Sequence, residues 1–358
     1  MSGGATSNRN GVIWSGQNQN ELNIMFVGEA WGQEEAIKKR PFVGPSGGIL
    51  TGMLKQSGID RNKHLLTNVF NFQPKPSNAI ANVCGPKSEG IKGLPRLLPS
   101  KYVRAEFKPE IERLHDEVIA YNPNVVVALG ATAAWAFLGT SGIKSIRGAP
   151  VMGYAHDTPI KILPTYHPAA VMRDWTLRPI VLADLDKAKR EAMYPEIRRP
   201  RREILIEPTI TDLWHFYRFY IAPSPELSID IETIQDQITC IGFAPSIDRA
   251  LVVPFYDPSQ EDGNYWHDIK NEKAAWLFVR NMCHLEKAIV GQNFMYDMHF
   301  LWRSYGITVP YHEDDTMLLH HALQPEMVKS LGFLGSVYTD EASWKFMRTK
   351  GTVKLGDV

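Results

Sequence analysis

Cysteine is scarce. The 358-residue chain has three, Cys84, Cys240 and Cys283, far apart and without a C-x-x-C pair. Three scattered thiols make a poor disulfide framework and cannot supply four cysteine ligands, so they point to a reducing, intracellular setting. Net charge is absent too: Lys plus Arg and Asp plus Glu number 39 each. That balance neither indicates a polyanionic partner nor excludes one, because a basic groove is offset by an acidic site elsewhere. No long apolar run occurs. The most apolar stretch, 125–139, is shorter than the roughly 20 residues a spanning helix needs, and Gly130 splits it into a strand-like half and a helix-like half. The tail, 1–19, is polar and rich in Gly, Ser and Asn, with no apolar signal core. There is no internal repeat and no long low-complexity tract. These absences predict a soluble, cytoplasmic protein with no membrane partner.

What is present is an ordinary globular balance, 44% hydrophobic and 22% charged, at a length that favours two domains. From 20 to 195, strand-like and helix-like stretches alternate. Apolar runs at 23–27, 64–69, 125–129 and 161–163 read as buried strands, and 33–39, 49–57, 109–120 and 180–193 as helices. Such alternation predicts a three-layer α/β/α domain on a parallel sheet, with its chemistry in loops at the carboxyl ends of the strands. A basic, proline-containing stretch at 196–203 reads as a linker, either a solvated charge run or a DNA-backbone contact. A second domain is predicted over 204–358. Its strands lie at 204–206, 227–231, 238–243, 250–254 and 288–290, and its helices at 211–220, 271–285, 296–305 and 316–322.

Three segments of the first domain fall at predicted strand ends, Gly28-Glu29-Ala30-Trp31-Gly32, Thr67-Asn68-Val69-Phe70-Asn71 and Pro164-Thr165-Tyr166-His167-Pro168-Ala169-Ala170, and a fourth, the glycine-rich Arg40-Pro41-Phe42-Val43-Gly44-Pro45-Ser46-Gly47-Gly48, follows shortly after the first. Singly, each has a structural explanation: Glu29 as a helix cap, Asn68 as a turn residue, His167 as a satisfied loop histidine. Together, and in this order, they resemble the uracil-DNA glycosylase superfamily, especially its family-four branch. The likeness extends through the stretches 122–130 and 146–148. It implies that a uracil leaves the base stack, enters a pocket and loses its sugar bond. Glu29 would orient a water or stabilise developing positive charge, and Phe42 would stack on the base. Asn68 would read the pyrimidine amide edge, and His167 would donate to the oxygen that gains negative charge. The segment 169–173 would press into the emptied stack, with Val171 or Met172 as the wedge. Two departures stand out. The family's iron–sulfur cluster needs four cysteines, one of which falls where this chain has Phe72, so no cluster is expected. Trp31 replaces a proline of the first motif, which would narrow the pocket.

The second domain places Asp230 and Glu232 two residues apart on one strand, facing the same way. Two neighbouring acids repel, and a divalent metal is the usual reason to tolerate them; two solvated acids on an edge strand are the alternative. Asp297 adds a third carboxylate in Asn293-Phe294-Met295-Tyr296-Asp297. The pattern resembles the proofreading domain of family A DNA polymerases, within the DEDD 3′–5′ exonuclease superfamily, whose fold is ribonuclease H-like. The resemblance implies Mg²⁺ or Mn²⁺ on Asp230, Glu232 and Asp297. Asp315 reads as a helix N-cap. The third motif needs a Tyr or His and a further Asp; Tyr338 is followed at that spacing by Ala342, so the motif is expected beyond Val358, with Asp340 as a substitute the alternative. The two resemblances together imply a DNA-processing protein of phage-like replication or repair, acting on uracil-containing or 3′-ended DNA and related to a polymerase domain or subunit. The alternative is a non-catalytic DNA-binding module of such a polymerase.

Overall fold

The computed structural model describes residues 22–234 and 236–341. The polar tail at 1–19 and residues 342–358, Ala342 among them, lie outside the described residues. The chain divides into two compact units, one of Met1–Arg198 with Gly332–Val358 and one of Arg199–Leu331.

The first unit is built on a five-stranded sheet: β1 (Ile24–Ala30), β2 (Leu65–Phe70), β3 (Val125–Leu129), β4 (Val151–Ala155) and β5 (Thr158–Thr165), in the order β2-β1-β3-β5-β4. Four strands are parallel, as the alternating pattern predicts. The fifth, β4, runs antiparallel to β5 at the edge. It escapes a reading by apolar runs because alternate residues face solvent and Gly153 interrupts it. The central strands read as unbroken apolar runs because both of their faces are covered; all five residues of Val125–Leu129 are buried. Helices α1 (Gln33–Lys38), α2 (Pro45–Gln56), α3 (Lys108–Tyr121), α4 (Ala131–Leu138), α5 (Pro168–Arg173) and α6 (Arg178–Glu191) flank the sheet. In α3 the buried Ile111, Leu114 and Val118 recur at helical spacing on one face, and Asn122 ends the helix in the left-handed conformation. The chain leaves β1 for β2 on one side and reaches β3 on the other. The carboxyl ends of β1 and β3 therefore border a crevice at the point where strand order reverses, the usual ligand position of such sheets.

The second unit has six strands, β6 (Glu203–Leu205), β7 (Glu226–Ile234), β8 (Gln237–Ser246), β9 (Arg249–Pro254), β10 (Ala288–Gly291) and β11 (His312–Asp315), in the order β11-β10-β7-β8-β9-β6. β7, β8 and β9 form an antiparallel meander, while β10 and β11 add in parallel beside β7. This mixed sheet is a ribonuclease H-like α/β arrangement. Its core lies under helices α7 (Ile210–Phe216), α8 (Ile269–Cys283) and α9 (Met295–Tyr305), around Ile229, Phe243, Phe278 and Phe294. Along β7, Leu227, Ile229 and Ile231 face inward and Ser228, Asp230 and Glu232 outward, the period of two expected of a half-buried strand.

Asp315 caps helix α10 (Thr316–Leu323) by accepting from Met317 N at 2.8 Å, and it also accepts from Asn293 N at 2.9 Å and Phe294 N at 2.8 Å. Three backbone donors thus depend on one carboxylate. Replacing it by alanine (Asp315→Ala) is expected to destabilise this unit by about 1–3 kcal/mol. Urea denaturation followed in the full chain will measure the shift, and an unchanged midpoint would contradict this role.

Candidate functional site

Four loops converge at the carboxyl edge of the first sheet. Gly28 on β1 lies in register with Asn68 on β2, and Leu129 at the end of β3 with Thr165 at the end of β5. A Cβ built on Gly28 would stand 2.3 Å from Asn68 Oδ1 and 2.5 Å from Phe42 Cζ. The bare backbone of Gly28 is thus the floor over which the amide and the ring meet. Asn68 is 2% exposed, and its backbone carbonyl accepts from Arg113 Nη2 at 2.8 Å. Its side-chain amide has no hydrogen-bond partner among the described residues. Phe42 is 4% exposed and lies beside the His167 ring, centroids 6.1 Å apart.

The Phe42 loop is shaped by two features. Phe42 itself has a left-handed backbone, φ 53°, and a Cβ on Gly47 would fall 2.0 Å from its carbonyl oxygen, so the turn closes only around glycine. Glu35, buried on α1, accepts from Gly32 N at 3.1 Å, Val43 N at 3.0 Å and Gly44 N at 2.8 Å. One carboxylate thereby fastens the Glu29 loop to the Phe42 loop. Sequence reasoning missed Glu35, and nothing in its local spacing distinguishes it from the exposed Glu34 beside it.

Glu29 accepts a 2.5 Å hydrogen bond from Thr132 Oγ1, another residue that the motifs did not indicate. Burial raises the Glu29 carboxyl above its ordinary 4.5, opposed by the Thr132 bond and by the charge of Arg173. His167 is the N-cap of α5, its Nδ1 accepting from Ala169 N at 3.1 Å. A ring that accepts at Nδ1 and stays neutral carries its proton on Nε2. Burial, reinforced by Arg173, pushes its pKa down to about 4, so neutrality holds at physiological pH. Gly130, whose left-handed-side φ is 93°, leaves room for the ring: a Cβ there would stand 2.9 Å from His167 Cβ.

One expectation changes. The segment after His167 is a helical turn, and Val171 points inward with 0% exposure, inside the core formed with Leu163 and Val181; of the two wedge candidates only Met172, 50% exposed, faces solvent. Trp31 helps to wall a cavity of about 190 Å³ with Arg40, Arg61, Thr67 and Asn71, and none of Gly28, Phe42, Asn68 or His167 lines that cavity. Trp31 thus lines a cavity that Gly28 does not border.

The donor set does not fit a four-cysteine cluster. Cys84 is the one thiol of the first unit, buried and directed at the Ile80 carbonyl at 3.5 Å, while Cys240 and Cys283 belong to the second. Phe72 stacks on Phe107 with centroids 5.4 Å apart. In the second unit Asp230 and Glu232 are exposed on one face of β7, and Asp297 is buried, accepting from Ile231 N at 2.9 Å. Burial first, then the charges of Asp230 and Asp315, push the Asp297 carboxyl up to about 6. Among the described residues, no group of three carboxylate, histidine or cysteine side chains stands close enough to hold a metal ion. As placed, these acids do not fit a two-metal centre.

The family profile of the Uracil DNA glycosylase superfamily matches residues 15–197. The type-4 uracil-DNA glycosylase of Thermotoga maritima is 35% identical over 186 residues, 51% of this chain and 83% of that protein. The type-4 uracil-DNA glycosylase of Sulfurisphaera tokodaii is 30% identical over 187 residues, 51% of this chain and 75% of that protein. Among solved structures, the magnesium-soaked EXD2 exonuclease domain shares 16% identity at a TM-score of 0.25, over 34% of this chain and 59% of that one, so the chain spans less than two thirds of it. Escherichia coli RNase D, an exoribonuclease involved in structured RNA processing, shares 12% at a TM-score of 0.31, over 40% of this chain and 35% of that one. At such TM-scores nothing about the second unit rests on these likenesses. With a profile that spans half its length and relatives matched over most of theirs, the chain belongs to the uracil-DNA glycosylase superfamily.

Proposed function

We propose that the first unit excises uracil from DNA. The observation that carries this reading is the meeting of an unengaged Asn68 amide and the Phe42 ring over Gly28, with a neutral His167, its proton on Nε2, beside that ring. An extruded uracil would lie on Phe42. The Asn68 amide, which both donates and accepts, would match the N3–H and O4 edge of uracil. Breaking the C1′–N1 bond sends its electron pair to uracil, and His167 Nε2–H would donate to the oxygen that takes up that charge. Water then bonds to C1′ as its proton passes to Glu29, whose carboxyl burial makes more basic than usual.

The bare backbone at Gly28 is the sharpest requirement. Gly28→Ala puts a methyl group against Asn68 and Phe42 and is expected to abolish uracil release while the circular dichroism spectrum is kept. Asn68→Asp, an acceptor without N–H, is expected to lose uracil recognition. A wild-type chain that releases no uracil from single- or double-stranded oligonucleotides would end the glycosylase reading.

The pH dependence follows from the two shifts. Activity needs Glu29 ionised, so kcat/KM is expected to rise through a single acid limb with its midpoint above 4.5, and to show no break near 6.5 because His167 is already neutral down to about 4. The unfolded chain binds a proton at His167 between pH 6.5 and 4 where the folded chain does not, so acidification through that window destabilises the fold. Glu29→Gln is expected to lower kcat by about 10²–10⁴.

For the second unit we propose a 3′–5′ exonuclease-like module that is slow or inactive in this chain, because its three acids do not gather into one ligand group. Incubation of single-stranded DNA with Mg²⁺ or Mn²⁺ is expected to show little 3′ degradation. Robust digestion that Asp230→Ala abolishes would overturn this and direct mutagenesis to Tyr338 and Asp340.

A further inference from the structure

The chain re-enters the first unit at Gly332, far beyond the 15–197 stretch that the family profile matches. Helix α11 (Leu331–Tyr338) ends there on a buried ionic group made of Arg147, Asp184 and Lys187. Asp184, 0% exposed, is bound by the Arg147 guanidinium at both oxygens, with Nε to Oδ2 at 3.0 Å. Arg147 Nη1 also donates to Ser336 Oγ at 2.9 Å, and its guanidinium carbon lies 6.0 Å from the Phe333 ring centroid. Lys187 Nζ donates to Ser336 O at 2.7 Å, to Gly148 O at 2.7 Å and to Thr339 O.

The charge count explains why something must lie there. Among the buried groups two cations meet one carboxylate, since Asp340, which also acts on Lys187, is half-exposed and paired with Arg190; a buried charge without partners costs several kcal/mol, on the order given for buried ions. The carbonyl end of a helix, which carries partial negative charge, supplies what is missing. Gly148 permits the approach: its φ is 82°, and a Cβ there would stand 2.6 Å from Ser336 O. Burial draws the Lys187 ammonium down to about 8, so its charge leans on these carbonyls.

The other side of the ionic group reaches the pocket. Asp184 Oδ2 accepts from Thr165 Oγ1 at 2.6 Å, and Thr165 stands two residues before His167. The Thr165 carbonyl accepts from Gly130 N at 2.8 Å, at the start of the helix whose Thr132 holds Glu29. Gly148 N, in turn, donates to Pro164 O at 3.0 Å. One threonine therefore sets the spacing of the two loops that carry Glu29's partner and His167.

We propose that residues 332–340 are a built-in positioning element of the glycosylase site, acting through Arg147, Lys187 and Asp184 on Thr165 and hence on His167 and Thr132. This rests on the reading of the first unit as a glycosylase. Residues 332–340 and Thr165 are positioning residues, none of them in contact with the base.

The test uses the full chain with two kinds of variant. Phe333→Ala with Ser336→Ala loosens the helix from outside the pocket, and limited proteolysis within 332–340 reads the release. Thr165→Val removes the hydroxyl that Asp184 accepts, whereas Thr165→Ser retains it. The double variant and Thr165→Val are expected to slow single-turnover uracil release about tenfold, with DNA affinity moved by less than about twofold, and Thr165→Ser to restore the rate. A double variant that is cut within 332–340 yet excises at the wild-type rate overturns the proposal, as does a folded Thr165→Val that does so. If Thr165→Val fails to fold, the double variant decides; if the double variant stays protected, the threonine pair decides. A wild-type chain that releases no uracil sinks the glycosylase reading itself. An active wild type whose rate ignores these changes sinks only the positioning role.

Discussion

Two buried carboxylates tie together the loops that carry Glu29, Phe42 and His167. Glu35 accepts three backbone N–H groups and joins the loop after β1 to the Phe42 turn. Asp184 accepts the Thr165 hydroxyl and, through the backbone of that threonine, links the ends of β3 and β5. Loops at strand ends have few neighbours of their own, and burying their amide groups without partners would cost about 1–3 kcal/mol each. A carboxylate with four lone-pair sites satisfies several at once and fixes their spacing. The pocket is therefore set by polar contacts behind it as much as by the residues that face it.

In the proposed reading, Glu29 and His167 would divide the proton chemistry between them. Both are pushed toward neutrality by burial, but with opposite chemical results. A carboxyl whose pKa rises becomes a better proton acceptor when ionised, and an imidazole whose pKa falls remains a neutral donor. The helix cap at Ala169 N selects the His167 tautomer. The chain's three cysteines do not form a four-thiolate ligand set.

The second unit illustrates the limit of a local motif. Period-two geometry correctly put Asp230 and Glu232 on one face of β7, and Asp315 took the capping position expected for it. Whether Asp297 joins them depends on how α9 meets β7, and in this structure its carboxylate is turned to the Ile231 amide. Strand alternation fixes a face. It does not fix which neighbour a side chain chooses.

Much of the first unit was legible in the residues alone. Buried parallel strands are continuous apolar runs, three of the four motifs sit at their ends and the fourth between α1 and α2, and local backbone chemistry, glycines in tight turns above all, is written over a few adjacent positions. What the sequence could not supply are contacts between distant residues. Thr132 meets Glu29 across 103 positions, Asp184 meets Arg147 across 37, and Ser336 meets Arg147 across 189. Val171 and Met172 are neighbours in sequence, yet one turn of helix buries the first and exposes the second. The antiparallel β4 likewise emerged only in the folded sheet. The amino-acid order determined which elements form and which face of each is apolar. The order of strands across the sheet decided which loops became neighbours, and through them which buried charges had to be paired.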